Sequence, residues 1–450
     1  MSFPRYPAYK DSGVEWLGEV PGHWSVCSLS YRYQIELGKM LDEKRITGEH
    51  LRPYLRNIDV QWGVINTDDL PEMDFQDDET ERYALEVGDL LVCEGGEVGR
   101  AAIWKAPIAE CYYQKALHRV RPRLPGSDIA GFLFFVLLAA ASRGILSESA
   151  GKSTIAHLTA EVFRRYRFPF PPLAEQTAIA TFLHYETDKI DALVADYRTL
   201  IELLQEKRQA VISHAVTKGL DSTVPMKDSG VEWLGEVPAH WGVVRLKFLA
   251  TVQTGVAKGK DNSGKTVVDV AYLRVANVQN GYLDLAEVAM IEIPQEDLDR
   301  YLLRNGDVLM NEGGDNDKLG RGHIWGGEVS PCIHQNHVFA VRPIKLSSDW
   351  LNRVTGSSYA QFYFLSRSKQ STNLASISST NIMELPVVLP PDIEQVVIGT
   401  FLDREISNLD SLITDAQDAI TLLQERRTAL ISAAVTGKID VRGLVEPEAA

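Results

Sequence analysis

Two stretches of this chain repeat apolar residues at alternating steps of three and four. Ile190, Leu193, Tyr197, Leu200, Leu204, Lys207, Val211 and His214 mark the first. Leu409, Leu412, Ala416, Ala419, Leu423, Arg426, Leu430 and Ala433 mark the second. That period of 3.5 is the seam of a coiled-coil helix. Neither stretch contains Pro or Gly between Ile190 and Thr217 or between Leu409 and Thr436, and each follows a proline pair, Pro171-Pro172 or Pro390-Pro391. Proline is well placed just ahead of a helix start. Shorter apolar runs after Gly-Asp pairs, at Leu90–Cys93 and Val308–Met310, read as strands. Ile129 to Leu146 and Trp350 to Ser366 read as helical patches. The longest apolar run, Ile129 to Ala141, is too short to span a bilayer, which predicts a buried helix.

The pattern occurs twice. KDSGVEWLGEVPGHWSV at Lys10 to Val26 returns as KDSGVEWLGEVPAHWGV at Lys227 to Val243, 217 positions later. Tyr54-Leu55-Arg56 returns as Tyr272-Leu273-Arg274, and Gly88-Asp89…Glu94-Gly95-Gly96 as Gly306-Asp307…Glu312-Gly313-Gly314. Val120-Arg121-Pro122 returns as Val341-Arg342-Pro343. Pro171 to Asp221 aligns without a gap to Pro390 to Asp440. A repeat of this length fits a duplicated domain, not a solenoid. The least similar stretches lie between the shared landmarks, as in two diverged readers set in one scaffold. The tags mix Trp, Pro and Gly irregularly and predict extended, packed segments. The fold class expected is mixed α/β, with residues 1–170 and 222–389 as two related domains. Residues 171–221 and 390–450 carry the long helices. The pseudo-twofold order favours antiparallel pairing of those helices.

Composition narrows the chemistry. Of 450 residues, 45% are hydrophobic and 24% charged, ordinary for a globular protein. Cys27, Cys93, Cys111 and Cys332 show no CxxC spacing, which argues against a zinc ribbon or disulfide framework and fits a reducing compartment. With no apolar signal core near the start, a cytoplasmic location is expected. The net charge of −15 opposes a free-standing nucleic-acid binder, so basic residues must cluster locally or a partner must supply phosphate contacts. Asp68, Asp69, Glu72, Asp74, Asp77, Asp78, Glu79 and Glu81 form an acidic stretch expected to be a solvated loop.

The tags, the GDLLV…EGG and GDVLM…EGG elements, and PPLAEQ and PPDIEQ ahead of long helices together resemble the DNA-specificity (S) subunits of Type I restriction–modification systems. The resemblance covers nearly the whole chain. It implies two target recognition domains, each reading one half of a bipartite site, and an antiparallel coiled coil that spaces them. It implies double-stranded DNA, two methyltransferase (M) subunits and restriction (R) subunits as partners, and no membrane. S-adenosylmethionine, ATP and Mg would then act on partner subunits, with no cofactor, metal or catalytic residue in this chain. A stand-alone nucleic-acid-modifying enzyme and a pure protein scaffold are the competing classes.

Motif tests agree with a non-catalytic role. Gly151-Lys152-Ser153-Thr154 ends like a phosphate-binding loop, but position 146 is Leu where a glycine is needed. His334-Gln335-Asn336-His337 lacks the helical His spacing of a zinc site. Glu94-Gly95-Gly96-Glu97 reads as a turn. DNA contacts call for Arg, Lys, Asn, Gln, Ser or Thr on loops or helix ends held by a rigid frame. The candidates are Gln114, Lys115, His118, Arg119, Lys152, Ser153 and Thr154 in the first domain. In the second they are Lys258, Lys260, Gln335, Asn336, His337, Ser379, Thr380 and Asn381. Arg56 and Arg274, in a shared frame, read as structural or phosphate-binding.

Overall fold

The computed structural model describes residues 3–40, 46–148, 157–259, 263–314, 319–320, 322–370 and 375–444. It divides into two compact units. Unit 1 is Met1–Tyr197 with Asp418–Ala450, and unit 2 is Arg198–Gln417. Each unit therefore holds one reading domain, the start of the long helix that follows it, and the end of the other long helix.

The two units share the topology of their two main sheets, and unit 2 adds a small sheet of Gly313–Gly314, Ala375–Ser376 and Lys369–Gln370. In unit 1 a four-stranded antiparallel sheet runs in the order Ala101–Ile103, Leu90–Cys93, Leu117–Pro122, Tyr33–Leu37. In unit 2 the order is Gly322–Ile324, Val308–Asn311, Val338–Pro343, Ala250–Thr254. A three-stranded sheet follows in each. Its middle strand, Leu51–Leu55 or Val267–Leu273, pairs in parallel with Tyr112–Tyr113 or Cys332–His334. The same middle strand pairs antiparallel with Glu72–Asp74 or Ala289–Pro294. The strands after the Gly-Asp pairs are unbroken apolar runs because both their faces are covered. Leu90 and Val92 enter one core while Leu91 and Cys93 enter another; Val308 and Met310 alternate with Leu309 in the same way. The long apolar run forms the helix Ala130–Ser142, with Phe132, Leu133, Phe135 and Val136 buried. The second helical patch is two helices, Ser348–Thr355 and Ser358–Arg367, separated at Gly356.

Each tag forms a hairpin, Tyr9–Asp11 with Glu19–Pro21 and Met226–Asp228 with Glu236–Pro238. Its Asp-Ser-Gly turns the chain by side-chain acceptors: Gly13 N donates to Asp11 Oδ1 and Val14 N to Ser12 Oγ, as Gly230 and Val231 do to Asp228 and Ser229. The His-Trp that ends each tag grips the glutamate of the following long helix. Trp24 Nε1 donates to Glu175 Oε2 at 3.0 Å, and His23 Nε2 lies 2.7 Å from Oε1. Trp241 and His240 hold Glu394 at 2.8 and 2.7 Å. A carboxylate in the first helical turn also suits the helix dipole.

The long helices are Leu173–Lys218 and Asp392–Val435. Their burial corrects half of the expected seam. Ile190, Leu204, Leu409, Ala416 and Leu430 are buried, and Tyr197, Val211 and Leu423 half-buried. Leu193, Leu200 and Leu412, expected in the seam, are 46%, 42% and 51% exposed. The more buried residues stand one place later: Val194, Ile201, Arg208 and Ala215, then Ile413, Ile420, Arg427 and Ala434, with Ala419 half-buried beside Ile420. Within unit 1, Arg427 pairs with Asp191 at 2.9 Å; within unit 2, Arg208 pairs with Asp410 at 3.0 Å. In each unit a later residue of one helix meets an earlier residue of the other, which is antiparallel pairing.

Candidate nucleic-acid interface

In each unit, four segments far apart in sequence meet in one place through the same backbone hydrogen bonds. The first segment follows an edge strand of the four-stranded sheet, and the third is the turn 113–116 or 334–337. Lys39 N donates to Tyr113 O and Lys115 N to Lys39 O; Val256 N donates to His334 O and Asn336 N to Val256 O. The glycines before them, Gly38 and Gly255, have no room for a side chain, since a Cβ would collide with the carbonyls of Gln114 and His334. The second segment is Glu-Gly-Gly, a bend in unit 1 and, in unit 2, a short strand (Gly313–Gly314) paired with Ala375–Ser376. Glu94 N donates to Ala116 O at 2.9 Å, and Glu312 N to His337 O at 2.9 Å. The fourth segment leads toward the proline pair, with Leu158 N donating to Glu94 O and Ile377 N to Glu312 O.

At the other end of the same paired strands each unit holds a buried ion pair. Arg121 Nε and Nη2 donate to Asp89 at 2.6 and 2.7 Å; Arg342 does the same to Asp307 at 2.7 Å for both atoms. Both aspartate side chains are 1% exposed. Asp89 Oδ2 also accepts from Glu86 N, and Asp307 Oδ2 from Arg304 N. These four residues were visible only as repeated Gly-Asp and Val-Arg-Pro landmarks; their partnership depends on strand pairing. Arg56 is structural, donating twice to Asp59 and once to Asp69 O.

The junction gathers part of the expected reader set. In unit 1 it holds Gln114, half-buried, and Lys115, exposed. In unit 2 it holds Gln335, Asn336 and His337, with exposed Lys258 two residues beyond Val256. Ser379, Thr380 and Asn381 begin the helix Ser379–Met383 just after Ile377; Thr380 is exposed, while Asn381 Nδ2 is spent on Arg367 O. Lys152, Ser153, Thr154 and Lys260 lie outside the described residues.

His118 and Arg119 are not surface readers. They sit on an interior strand of the four-stranded sheet, 0% and 5% exposed. His118 Nε2 is 2.7 Å from Leu158 O, and Arg119 Nη1 donates to Ala84 O. Burial lowers the His118 imidazole to about 4, so it is neutral in the fold. The unfolded chain takes up that proton near pH 6.5 and the folded chain does not. Unit 1 is therefore expected to lose stability as pH falls from about 6.5 toward about 4. Denaturant titrations at pH 7 and pH 5 measure the loss, and His118→Phe (Phe339 holds the matching position) should flatten it. An equal loss in both proteins would remove His118 as its source.

Asp74 also departs from expectation. It is 6% exposed and accepts from Thr47 N, Gly48 N and His50 N, so it ties down a loop instead of facing solvent. Glu94, read only as part of a turn, stands at the centre of the junction. Burial pushes its carboxyl up, against the pull of His157 and Lys115. Among the described residues no group of His, Cys, Asp and Glu has the arrangement of a metal site, and no helix is long and apolar enough to cross a membrane.

Comparison with known proteins identifies this doubled frame. The family model described as "Type I restriction modification DNA specificity domain" matches residues 63–202 and 238–422. The chain belongs to the Type I restriction–modification DNA-specificity family. It is 23% identical over 450 residues to the Type I restriction enzyme EcoKI specificity subunit of Escherichia coli (strain K12), covering 95% of this chain and 92% of that one. It is 25% identical over 327 residues to the MjaVIII specificity subunit of Methanocaldococcus jannaschii, covering 70% and 71%. A solved chain from work on complex assembly and conformational transition of the type I R-M system aligns with a TM-score of 0.64 at 16% identity, covering 95% of this chain and 99% of that one. The HsdS subunit from Thermoanaerobacter tengcongensis aligns at 0.55 and 14%, covering 93% and 98%. Those two likenesses show the fold. The specificity family supplies DNA recognition to a multisubunit enzyme and is not itself catalytic.

Proposed function

We propose that each unit reads one half of a bipartite double-stranded DNA site through its four-segment junction, and that helix length sets the gap between the halves. The observation that carries this reading is a frame built twice with the same hydrogen bonds and fitted with different side chains after a shared glutamine. Lys115 and Ala116 follow Gln114 in unit 1; Asn336 and His337 follow Gln335 in unit 2, with Lys115 and His337 exposed. One frame with two side-chain sets is what reading two unlike half-sites requires. The net charge of −15 makes this chain a poor collector of phosphates alone. Two methyltransferase subunits, carrying S-adenosylmethionine, would supply much of that contact. Restriction subunits with ATP and Mg would complete the complex in the cytoplasm.

The test is a genome-wide map of methylated adenine in cells that hold the other subunits, with and without this chain. A split motif with a fixed gap should appear only when the chain is present. Absence of any chain-dependent split motif would sink the reading.

A further inference from the structure

Two glutamates flank the bend of unit 1, and they are used differently. Glu97 is engaged: Trp62 Nε1 donates to its Oε1, and Arg100 Nη1 lies 3.8 Å from its Oε2. Glu94 holds the junction by its backbone alone, its N donating to Ala116 O and its O accepting from Leu158 N. Among the described residues no side chain hydrogen-bonds or ion-pairs with its carboxylate. Unit 2 fills the same position. The backbone bond that places Ala116 beside Glu94 places His337 beside Glu312, and there His337 Nδ1 is 2.7 Å from Glu312 Oε2. The methyl group of Ala116 has no donor to give. Unit 1 thus keeps a half-buried acceptor open at the centre of its junction, and an acceptor left without a donor is costly. Burial already pushes the Glu94 carboxyl up, and a donor arriving from outside favours its charged form.

We propose that Glu94 reads a cytosine in the half-site of unit 1 by accepting a hydrogen bond from its N4 amino group. The inference rests on the half-site reading given above. A carboxylate only accepts. In the major groove guanine shows two acceptors, and thymine one acceptor beside its methyl group, so neither base can satisfy it. Adenine sets its N6 donor beside the N7 acceptor, which repels a carboxylate. Cytosine offers a donor with no acceptor next to it on the same base. Repulsion from the phosphates is the same for every base, so it lowers affinity and leaves the choice of base alone. Lys115 and His157, both exposed, offset part of it by favouring the charged carboxylate. Glu312, already paired with His337, makes no such contact in unit 2.

The experiment maps methylated adenine in cells carrying the complete system, unsubstituted or with Glu94→Ala or Glu94→Gln. Melting of each purified complex reports whether it folds; both should, because the frame uses only the backbone of residue 94. Glu94→Ala should relax one C·G pair of one half-site, lowering discrimination there roughly tenfold, and leave the other half-site and the gap unchanged. Glu94→Gln both donates and accepts. It should move the preference at that position from cytosine toward adenine, whose N6 and N7 suit an amide. A merely structural role for Glu94 produces no such exchange of bases. If Glu94→Ala does not fold, Glu94→Gln carries the test, and failure of both to fold makes the residue structural and overturns the proposal. A folded variant with an unchanged motif, with methylation lowered evenly at unchanged sites, or with relaxation at a pair other than C·G overturns it while the half-site reading stands. Absence of any split motif in the unsubstituted system would overturn the reading itself.

Discussion

Asp89→Ala is expected to destabilise unit 1 by about 3 kcal/mol, because it removes one partner of a buried ion pair and leaves the other behind. Asp89 is 1% exposed, accepts twice from Arg121, and also caps Glu86 N. All three donors lose their acceptor at once. Arg121 is 28% exposed and recovers some solvation, so the loss falls at the low end for such pairs. Asp89→Asn keeps an acceptor for Glu86 N and should lose less. Hydrogen exchange across 90–93 and 117–122, with denaturant melting, measures the effect. A change below about 1 kcal/mol would mean that the apolar strands alone hold this end of the sheet. Asp307→Ala should act likewise on unit 2 through Arg342.

Lengthening both long helices is expected to lengthen the gap in the recognised site without altering its bases. Four residues inserted after Leu200 add about 6 Å of helix, and four more beside Ala419 keep the partners matched. The partners can be matched because the two ion pairs, 191 with 427 and 208 with 410, define one antiparallel register. On B-DNA that is about one to two base pairs of rise. Insertion into one helix alone should cost assembly, since four residues do not complete a heptad and turn the seam away from its partner. The methylation motif of the double insertion decides the matter. An unchanged gap in a folded, active complex would refute the spacing role, and altered half-site bases would put recognition on the helices.

Much of the fold could be read from the residues because duplication supplied a control: a feature present twice is structural. That logic found the tags as extended segments, the strands after Gly-Asp and both long helices; the hairpin in each tag came only with the structure. The phase of the seam escaped it for a physical reason. The two heptad phases share every seventh residue, here Ile190, Tyr197, Leu204 and Val211, and differ only at the alternates. Leu193 and Leu200 drew the eye to one set of alternates, although it runs on to Lys207 and His214; the more buried set, Val194, Ile201, Arg208 and Ala215, carries a single polar residue, and so does its counterpart Ile413, Ile420, Arg427 and Ala434. Arginine belongs there because its stem packs in the seam and its charge meets an aspartate. His118 and Arg119 misled in the opposite sense. Polar residues within a basic run look exposed, and only the pairing of strand Leu117–Pro122 with a strand on each side buries them. The tag's His-Trp and the helix's Glu-Gln were each legible as motifs, but nothing in their spacing announced that they touch.

The seam arginines also choose a direction. Arg208 and Arg427 hold the same place in their respective repeats, as do Asp191 and Asp410. Were the two repeated helices laid alongside each other head to head, each arginine would face its own counterpart and each aspartate another aspartate. Two like-charge collisions would replace two ion pairs, at a location where the heptad pattern alone has no preference. Reversing one helix turns every collision into a match. A duplicated helix would by default be as content to run with its twin as against it; here one Arg and one Asp per copy, seventeen residues apart, are enough to make the twins run in opposite senses and to fix how far they overlap.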